Sequence, residues 1–203
     1  MASFLRAGGN RPRWLVPVAV AAGVLLVLVL PVIASYNGLV SKQEGVDQSF
    51  ADLDAQLQRR NDLIPNLVNA VRGILNQEQE VFGELARARQ AYAGARSPEE
   101  KFAAAGQVEA GFGRLLAIVE NFPELRSSQN VLDLQVQLEG TENRIAQARR
   151  DYNGTVTTYN VSTRRFPRSV VAGLFGFDRE PLFEADTGAR EVPEVDLGGS
   201  PGR

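Results

Sequence analysis

The feature that most constrains this chain is a run of twenty residues without a charge, from Leu15 to Ala34. At 1.5 Å of rise per residue, a helix of that length measures ~30 Å, which matches the hydrocarbon core of a bilayer. Trp14 and Tyr36 flank the run as aromatic residues of the kind found at membrane interfaces. We therefore predict one transmembrane helix over residues 15–36, after a short basic arm of residues 1–14.

The charges on either side of the run predict its orientation. Arg6, Arg11 and Arg13 precede it, whereas Lys42 is the only cation in the twenty residues that follow. The positive-inside rule then places the N-terminus in the cytoplasm and the rest of the chain on the outer side of the membrane. The alternative orientation has the following domain in the cytoplasm. A cleaved signal peptide is a competing interpretation, but the apolar run exceeds the usual signal-peptide core.

Beyond the run, apolar residues recur at steps of three and four, which is the pattern of a packed helix. They predict a long helix from about Ser41 to Tyr92, with its register interrupted by charge at Arg60 and Glu78. Pro65 predicts a kink, because a proline inside a helix removes one hydrogen bond and crowds the preceding turn. The apolar positions are Val46, Phe50, Leu53, Leu57, Ile64, Leu67, Val71, Ile74, Val81 and Leu85.

Two further helices are predicted downstream. Ser97, Pro98 and Glu100 form the pattern of a capping box, and Pro123 ends the helix that begins there. We expect the glycines of this helix to allow close helix contact; they are Gly106, Gly111 and Gly113. A second long seam extends from about Ser127 to Arg165. Its members are Val131, Leu134, Leu138, Ile145, Ala148, Tyr152 and Tyr159.

These patterns predict an all-α protein: one transmembrane helix, then an antiparallel bundle of three main helices over residues 37–184. The bundle includes a C-terminal apolar segment, residues 166–184, in which Leu174, Phe175 and Phe177 are candidate interaction residues. Its eight mostly apolar residues, Val170–Phe177, are too few to span a bilayer. The segment therefore either caps the bundle or docks to lipid or another subunit. Residues 185–203 are rich in glycine, proline and acid, which predicts a disordered acidic tail.

Composition argues against several classes of function. With no cysteine and no histidine, the chain lacks thiolate zinc sites, cysteine nucleophiles and the usual general base near neutral pH. A net charge of −2 gives no reason to expect nucleic acid. We predict no cofactor and no metal. Glu139 and Glu142 lie on one helical face and could in principle act as an acid and a base, but salt bridges to Arg144, Arg149 or Arg150 are the simpler interpretation.

The densest polar cluster lies around the proline of the first helix. Arg59, Arg60 and Asp62 stand just before Pro65. These residues could form a docking notch or an arginine clamp for carboxylate or phosphate groups. In the structural alternative, the arginines pair with acids of a neighbouring helix and satisfy the carbonyls that the proline frees.

Several strings are distinctive in combination: Gln58–Val68, Gly113–Glu120, Glu139–Ala146, Arg149–Asn153 and Phe166–Phe177. Together with the anchor and Ser35-Tyr36-Asn37, they resemble the LemA family over roughly residues 15–184. The resemblance implies a membrane helix followed by long packed helices, and no agreed catalytic residues. One branch of the family is associated with building bacterial organelle membranes. Family descriptions place the bundle in the cytoplasm, in conflict with the charge rule.

The functional prediction is a non-enzymatic scaffold or adaptor that acts through helix-mediated contacts with protein or with the membrane surface. Its expected partners are the lipid bilayer, further copies of itself in a homo-oligomer, and another membrane protein. The first alternative is an extracytoplasmic sensory bundle that binds a ligand and signals through a partner. The second is a carboxylate-based hydrolase centred on Glu139 and Glu142.

Overall fold

A computed structural model describes residues 14–75 and 78–184, and within them every regular element is a helix. The predicted all-α class is therefore confirmed. The predicted basic arm up to residue 13 and the predicted tail 185–203 lie outside the described residues. The helices are α1 (Leu15–Arg72), α2 (Gln79–Gly94), α3 (Pro98–Glu120), α4 (Pro123–Arg126), α5 (Gln129–Arg164) and α6 (Arg168–Phe175).

The single helix predicted from Ser41 to Tyr92 is wrong in one respect, because it is divided into α1 and α2. The carbonyl of Val71 accepts hydrogen bonds from both Ile74 and Leu75, at 3.0 Å each, so the last turn tightens. Helix α2 then starts with Glu78 as its N-cap residue, one of the two positions where the apolar register had been interrupted. Helix α1 continues through Pro65; the kink there stays a prediction.

The chain divides into two compact units. Among the described residues, unit 1 contains residues 14–44 together with Thr158–Arg179, and unit 2 contains residues 45–157 together with residues 180–184. Both α1 and α5 contribute to each unit.

Unit 2 is a bundle of α1, α2, α3 and α5 with antiparallel neighbours. Between α1 and α5, an ideal Cβ on Gly45 would lie 3.6 Å from the Thr155 methyl group, and Arg60 donates a hydrogen bond to Glu142. Residue numbers therefore rise along α1 while they fall along the facing α5, so the two helices are antiparallel. The apolar seams face the interior as predicted, except at Ile74, where the prediction is wrong because this side chain is 42% exposed just beyond the end of α1. The fully buried apolar side chains of unit 2 include Leu53, Ile64, Leu67, Leu85, Leu115, Val131, Leu138 and Ile145.

The uncharged run lies in the first part of α1. Two described helices, α1 and α3, are long and apolar enough to cross a membrane by length and composition. Their surroundings differ, since the most apolar stretch of 18 residues is 6% buried in α1 and 33% buried in α3. Helix α3 is a packed member of the bundle, whereas the run in α1 has almost no protein cover.

The ends of α3 follow the sequence prediction. The Ser97 hydroxyl accepts from the Glu100 backbone N–H, and the Glu100 carboxylate accepts from the Ser97 N–H in return. The two backbone N–H groups that this carboxylate accepts, those of Arg96 and Ser97, lower the pKa of Glu100. Helix α3 ends at Glu120, and Pro123 opens α4.

Only one of the three glycines in α3 has the predicted close contact. A Cβ built on Gly111 would lie 3.2 Å from Cδ1 of Leu85 on α2. The prediction is wrong for Gly106 and Gly113, where a Cβ would meet nothing within 4 Å among the described residues. Close approach of α2 and α3 therefore depends on Gly111.

Shortening a buried seam residue should destabilise the protein. We expect Leu138→Ala or Ile145→Ala to reduce the free energy of unfolding by ~2–5 kcal/mol, because each leaves a cavity in the interior of unit 2. Denaturant melts of the full chain in detergent measure this change. Gln137→Ala, at an exposed position of the same helix, is the control, with an expected effect within ~0.5 kcal/mol. Equal effects at all three positions would contradict the seam assignment.

Candidate functional site

Arg60 lies in the interior of unit 2 and is only 1% exposed. Its Nη1 donates to Oε2 of Glu142 on α5 at 2.9 Å, and Nη2 donates to the carbonyl of Ala105 on α3 at 3.4 Å. A second carboxylate, that of Glu109, stands 3.9 Å from Nη1. The helix seam thus continues through Arg60 instead of being interrupted there, because neighbouring helices neutralise the buried charge.

The backbone carbonyl that Pro65 leaves free in α1 has a partner that the sequence did not predict. Pro65 has no N–H, so the carbonyl of Asn61, four residues earlier, loses its helical hydrogen bond. Arg89 on α2 supplies the replacement, since its Nε donates to this carbonyl at 2.9 Å and approaches the Asn61 side-chain oxygen at 3.2 Å. An arginine therefore does satisfy the freed carbonyl, but it comes from another helix.

Two consecutive residues of α1 consequently contact all three other helices of the bundle. Arg60 reaches α3 and α5, and Asn61 reaches α2. We call this set the polar node, and it consists of Arg60, Asn61, Arg89, Glu109 and Glu142. Arg149 extends it, with Nη2 3.5 Å from Glu109.

The remaining members of the predicted notch lie elsewhere. Arg59 and Asp62 are exposed, and Pro65 is half-buried. Asp62 accepts a hydrogen bond from Gln58 on its own helix at 2.8 Å. Arg59 and Asp62 therefore do not share a pocket with Arg60, and their role in partner contact stays a prediction.

The two glutamates considered for a hydrolase do not act as a pair. Glu142 is bound to Arg60, whereas Glu139 is exposed. The simpler interpretation is also corrected in detail, because Glu142 pairs with α1 and Arg149 pairs with Glu109. Within residues 14–75 and 78–184, no group of three or more acidic side chains is arranged to hold a metal ion.

A second polar contact between helices of unit 2 is centred on Asp54 of α1. The Tyr92 hydroxyl donates to Asp54 at 2.6 Å, and Lys101 also forms an ion pair with Asp54. Burial, followed by the hydrogen bond to Asp54, raises the pKa of Tyr92 well above its usual range. The phenol therefore stays protonated and donates, so this contact joins α1, α2 and α3.

Three side chains of α5, those of Arg149, Tyr152 and Asn153, contact the segment after α6. The Tyr152 hydroxyl donates to the Pro181 carbonyl at 2.8 Å, and the Asn153 carboxamide both donates to and accepts from the Phe183 backbone, at 3.0 and 2.8 Å. The Phe183 ring packs on Phe102 and under the Arg149 guanidinium. Burial, and next the nearby Glu180, raises the pKa of Tyr152. The sequence did not predict this contact.

The apolar residues predicted to make interactions, in and just after α6, lie in two different environments. In unit 1, Phe177 packs against a small core of Leu39, Val171 and Ala172. Gly176 adopts a left-handed φ of 74°, which lets the chain reverse so that the Phe177 N–H bonds to the Ala172 carbonyl at 3.0 Å. By contrast, Leu174 and Phe175 are exposed, although the Phe175 ring centroid lies 5.0 Å from that of Tyr36.

Comparison with known proteins now identifies the family. The model of the LemA family matches residues 49–197, well over half of the chain. The chain belongs to the LemA family. It is 26% identical to the magnetosome protein MamQ of Magnetospirillum gryphiswaldense over 78% of this chain and 68% of that protein. Two MamQ proteins of Paramagnetospirillum magneticum, MamQ 1 and MamQ 2, are 27% identical over 73% of this chain and 64% of their own length.

Four of the five strings that resemble the LemA family contain residues that join the helices of unit 2, and the fifth, Phe166–Phe177, lies in unit 1. Gln58–Val68 contains Arg60 and Asn61, and Glu139–Ala146 contains Glu142. Gly113–Glu120 contains Arg114, whose Nη1 donates to Glu84 of α2 at 2.6 Å. Arg149–Asn153 holds the segment around Phe183. In this LemA-family chain, the distinctive polar residues hold the helices together.

The polar node predicts an asymmetric response to mutation. Glu142→Leu should cost ~1–3 kcal/mol of stability, because it takes the carboxylate from a buried guanidinium. Arg60→Met should cost less, since the Glu142 side chain is 47% exposed and can return to water. The Nε of Arg60 has no acceptor among the described residues, so the double variant should recover much of the Glu142→Leu loss.

A double-mutant cycle of unfolding free energies measures this coupling. A Glu142→Gln variant is the control for side-chain volume. Additive effects of the two substitutions would show that Arg60 and Glu142 do not stabilise the bundle as a pair.

Proposed function

We propose that this LemA-family chain is a membrane-anchored, non-enzymatic helical scaffold or adaptor. The observation that carries the proposal is the character of α1. Its first part is uncharged and almost without protein cover, and the same helix continues into the bundle of unit 2. A helix with this first part is stable in lipid and costly in water. The anchor therefore fixes the bundle to one membrane surface.

The use of the polar residues supports a non-enzymatic role. An active site needs polar groups that remain available to a substrate. Here Arg60, Asp54 and Glu142 bind other helices of the same chain. The similarity to proteins named for the magnetosome agrees with a structural task at a bacterial membrane assembly.

The proposed location is the bacterial inner membrane, with the N-terminus in the cytoplasm and the bundle outside. Arg6, Arg11 and Arg13 precede the apolar run and support this orientation. The alternative places the bundle in the cytoplasm.

The proposed scaffold works through contact between copies of the chain. Helix α5 exposes Leu132 and Val136, which lie four residues apart and so on one face. An exposed pair of this kind suits the symmetric helix contact of a homodimer, in which the same patch meets its copy. Anchoring in one membrane raises the local concentration and favours such a contact.

Photocrosslinking of the full chain in its membrane tests this proposal. A photoreactive residue at Val136 should give a covalent product of twice the chain mass, and adducts with another membrane protein if an adaptor role applies. Arg150, exposed on the same helix, is the matched control position and should give little such product. Only monomeric chain from Val136, in membranes where the protein is intact, would contradict the proposed scaffold.

A further inference from the structure

Helix α6 is apolar on two sides, and the protein covers only one of them. Its inner side places Val171 and Ala172 against Leu39 of α1. Its outer side exposes Val170 at 54% and Leu174 at 74%, and Phe166, four residues before Val170, is 83% exposed. Val170 and Leu174 are spaced by four residues and share one face of α6, so they form an apolar stripe. Phe166 precedes the helix and adds an exposed apolar ring there. We call Val170 and Leu174 the outer stripe.

The inner side of α6 shows where the helix lies along α1. It packs on Leu39, only five residues after Ala34, where the apolar run ends. Five residues of helix rise by ~7.5 Å, and the polar headgroup region on each side of the hydrocarbon core is roughly 5–8 Å thick. Tyr36 lies between these points and contacts the rings of both Phe175 and Phe177. The level of α6 along α1 is therefore that of the headgroups.

The charge of unit 1 also suits a membrane surface. Its described residues include five cations, Lys42, Arg164, Arg165, Arg168 and Arg179, and two acids, Glu44 and Asp178. The described residues of unit 2 show the opposite balance, with eighteen acids and twelve cations. Basic residues next to a membrane helix are attracted by anionic lipid headgroups.

The position of Arg168 ties this charge to α1. A Cβ built on Gly38 would lie 3.3 Å from Nη2 of Arg168, so the guanidinium rests directly over the glycine. The guanidinium is thereby held four residues beyond the end of the uncharged run, at the level proposed for the headgroups.

We propose that α6 lies along the boundary between headgroups and acyl chains, with the outer stripe in lipid and the arginines on anionic headgroups. The proposal rests on the proposed anchor in α1 and adds a second, shallow contact with the same bilayer. Lipid fits this surface better than a second copy does, because a symmetric pairing of two such surfaces would bring equal positive charges together. Eight residues are also too few for α6 to cross the bilayer itself.

Tryptophan quenching in nanodiscs tests the proposal on the full chain. The single tryptophan, Trp14, is replaced by phenylalanine, and new tryptophans are introduced one at a time as Leu174→Trp, Val24→Trp and Val136→Trp. The nanodiscs contain phosphatidylcholine brominated on the upper acyl carbons, with or without phosphatidylglycerol. Val24→Trp reports on the anchor, and Val136→Trp is the exposed apolar control on unit 2.

We expect Leu174→Trp to lose most of its emission in brominated lipid, more so with phosphatidylglycerol, and Val136→Trp to lose little. Quenching of Val24→Trp without quenching of Leu174→Trp would overturn the placement of α6 and leave the anchor intact. A blue-shifted but unquenched Leu174→Trp would show that protein covers the stripe, which also overturns the proposal. Absence of quenching at both positions would contradict the anchor as well.

Discussion

The architecture of unit 2 depends on a buried arginine. A guanidinium that is 1% exposed must find acceptors inside the protein. Glu142 of α5 and the Ala105 carbonyl of α3 meet this requirement. Because each partner sits at one position of its helix, the contact fixes how α3 and α5 align along α1. Apolar side chains alone would tolerate shifts by one turn more easily.

The neighbouring residues complete this alignment. Pro65 frees the Asn61 carbonyl, and Arg89 of α2 binds it, so the proline produces a second specific contact instead of ending the helix. Aromatic packing then joins the other end of the bundle, where Phe102 contacts Phe50, Tyr152 and Phe183. The polar residues that distinguish this LemA-family chain are thus used within the bundle. The surfaces that we propose for function are the uncharged part of α1, the exposed side of α5 and the outer stripe of α6.

Local signals in the sequence predicted the elements well. The helical conformation of the run from Leu15 to Ala34, the capping box at Ser97 and the seam of α5 each depend on residues close in sequence, which is why pattern reading succeeds there. Partners far apart in sequence were not predictable in the same way. Arg60 and Glu142 are 82 positions apart, and no local pattern shows that the charge of Arg60 belongs to the seam. The contacts of Asn61 with Arg89 and of Asn153 with Phe183 were missed for the same reason.

The claim that the polar node sets the alignment of α1 and α5 can be tested by disulfide trapping, since the chain has no cysteine of its own. Gly45→Cys with Thr155→Cys reports the native alignment, because an ideal Cβ on Gly45 would lie 3.6 Å from the Thr155 methyl group. Gly45→Cys with Asp151→Cys reports a shift of one turn.

We predict that only the native cysteine pair forms a disulfide in the parent chain. Both pairs should form disulfides in a chain that also carries Arg60→Met and Glu142→Leu, because these substitutions remove the contact of the polar node between α1 and α5. Unchanged selectivity for the native pair in that variant would show that the apolar seam alone sets the alignment, and would contradict this account.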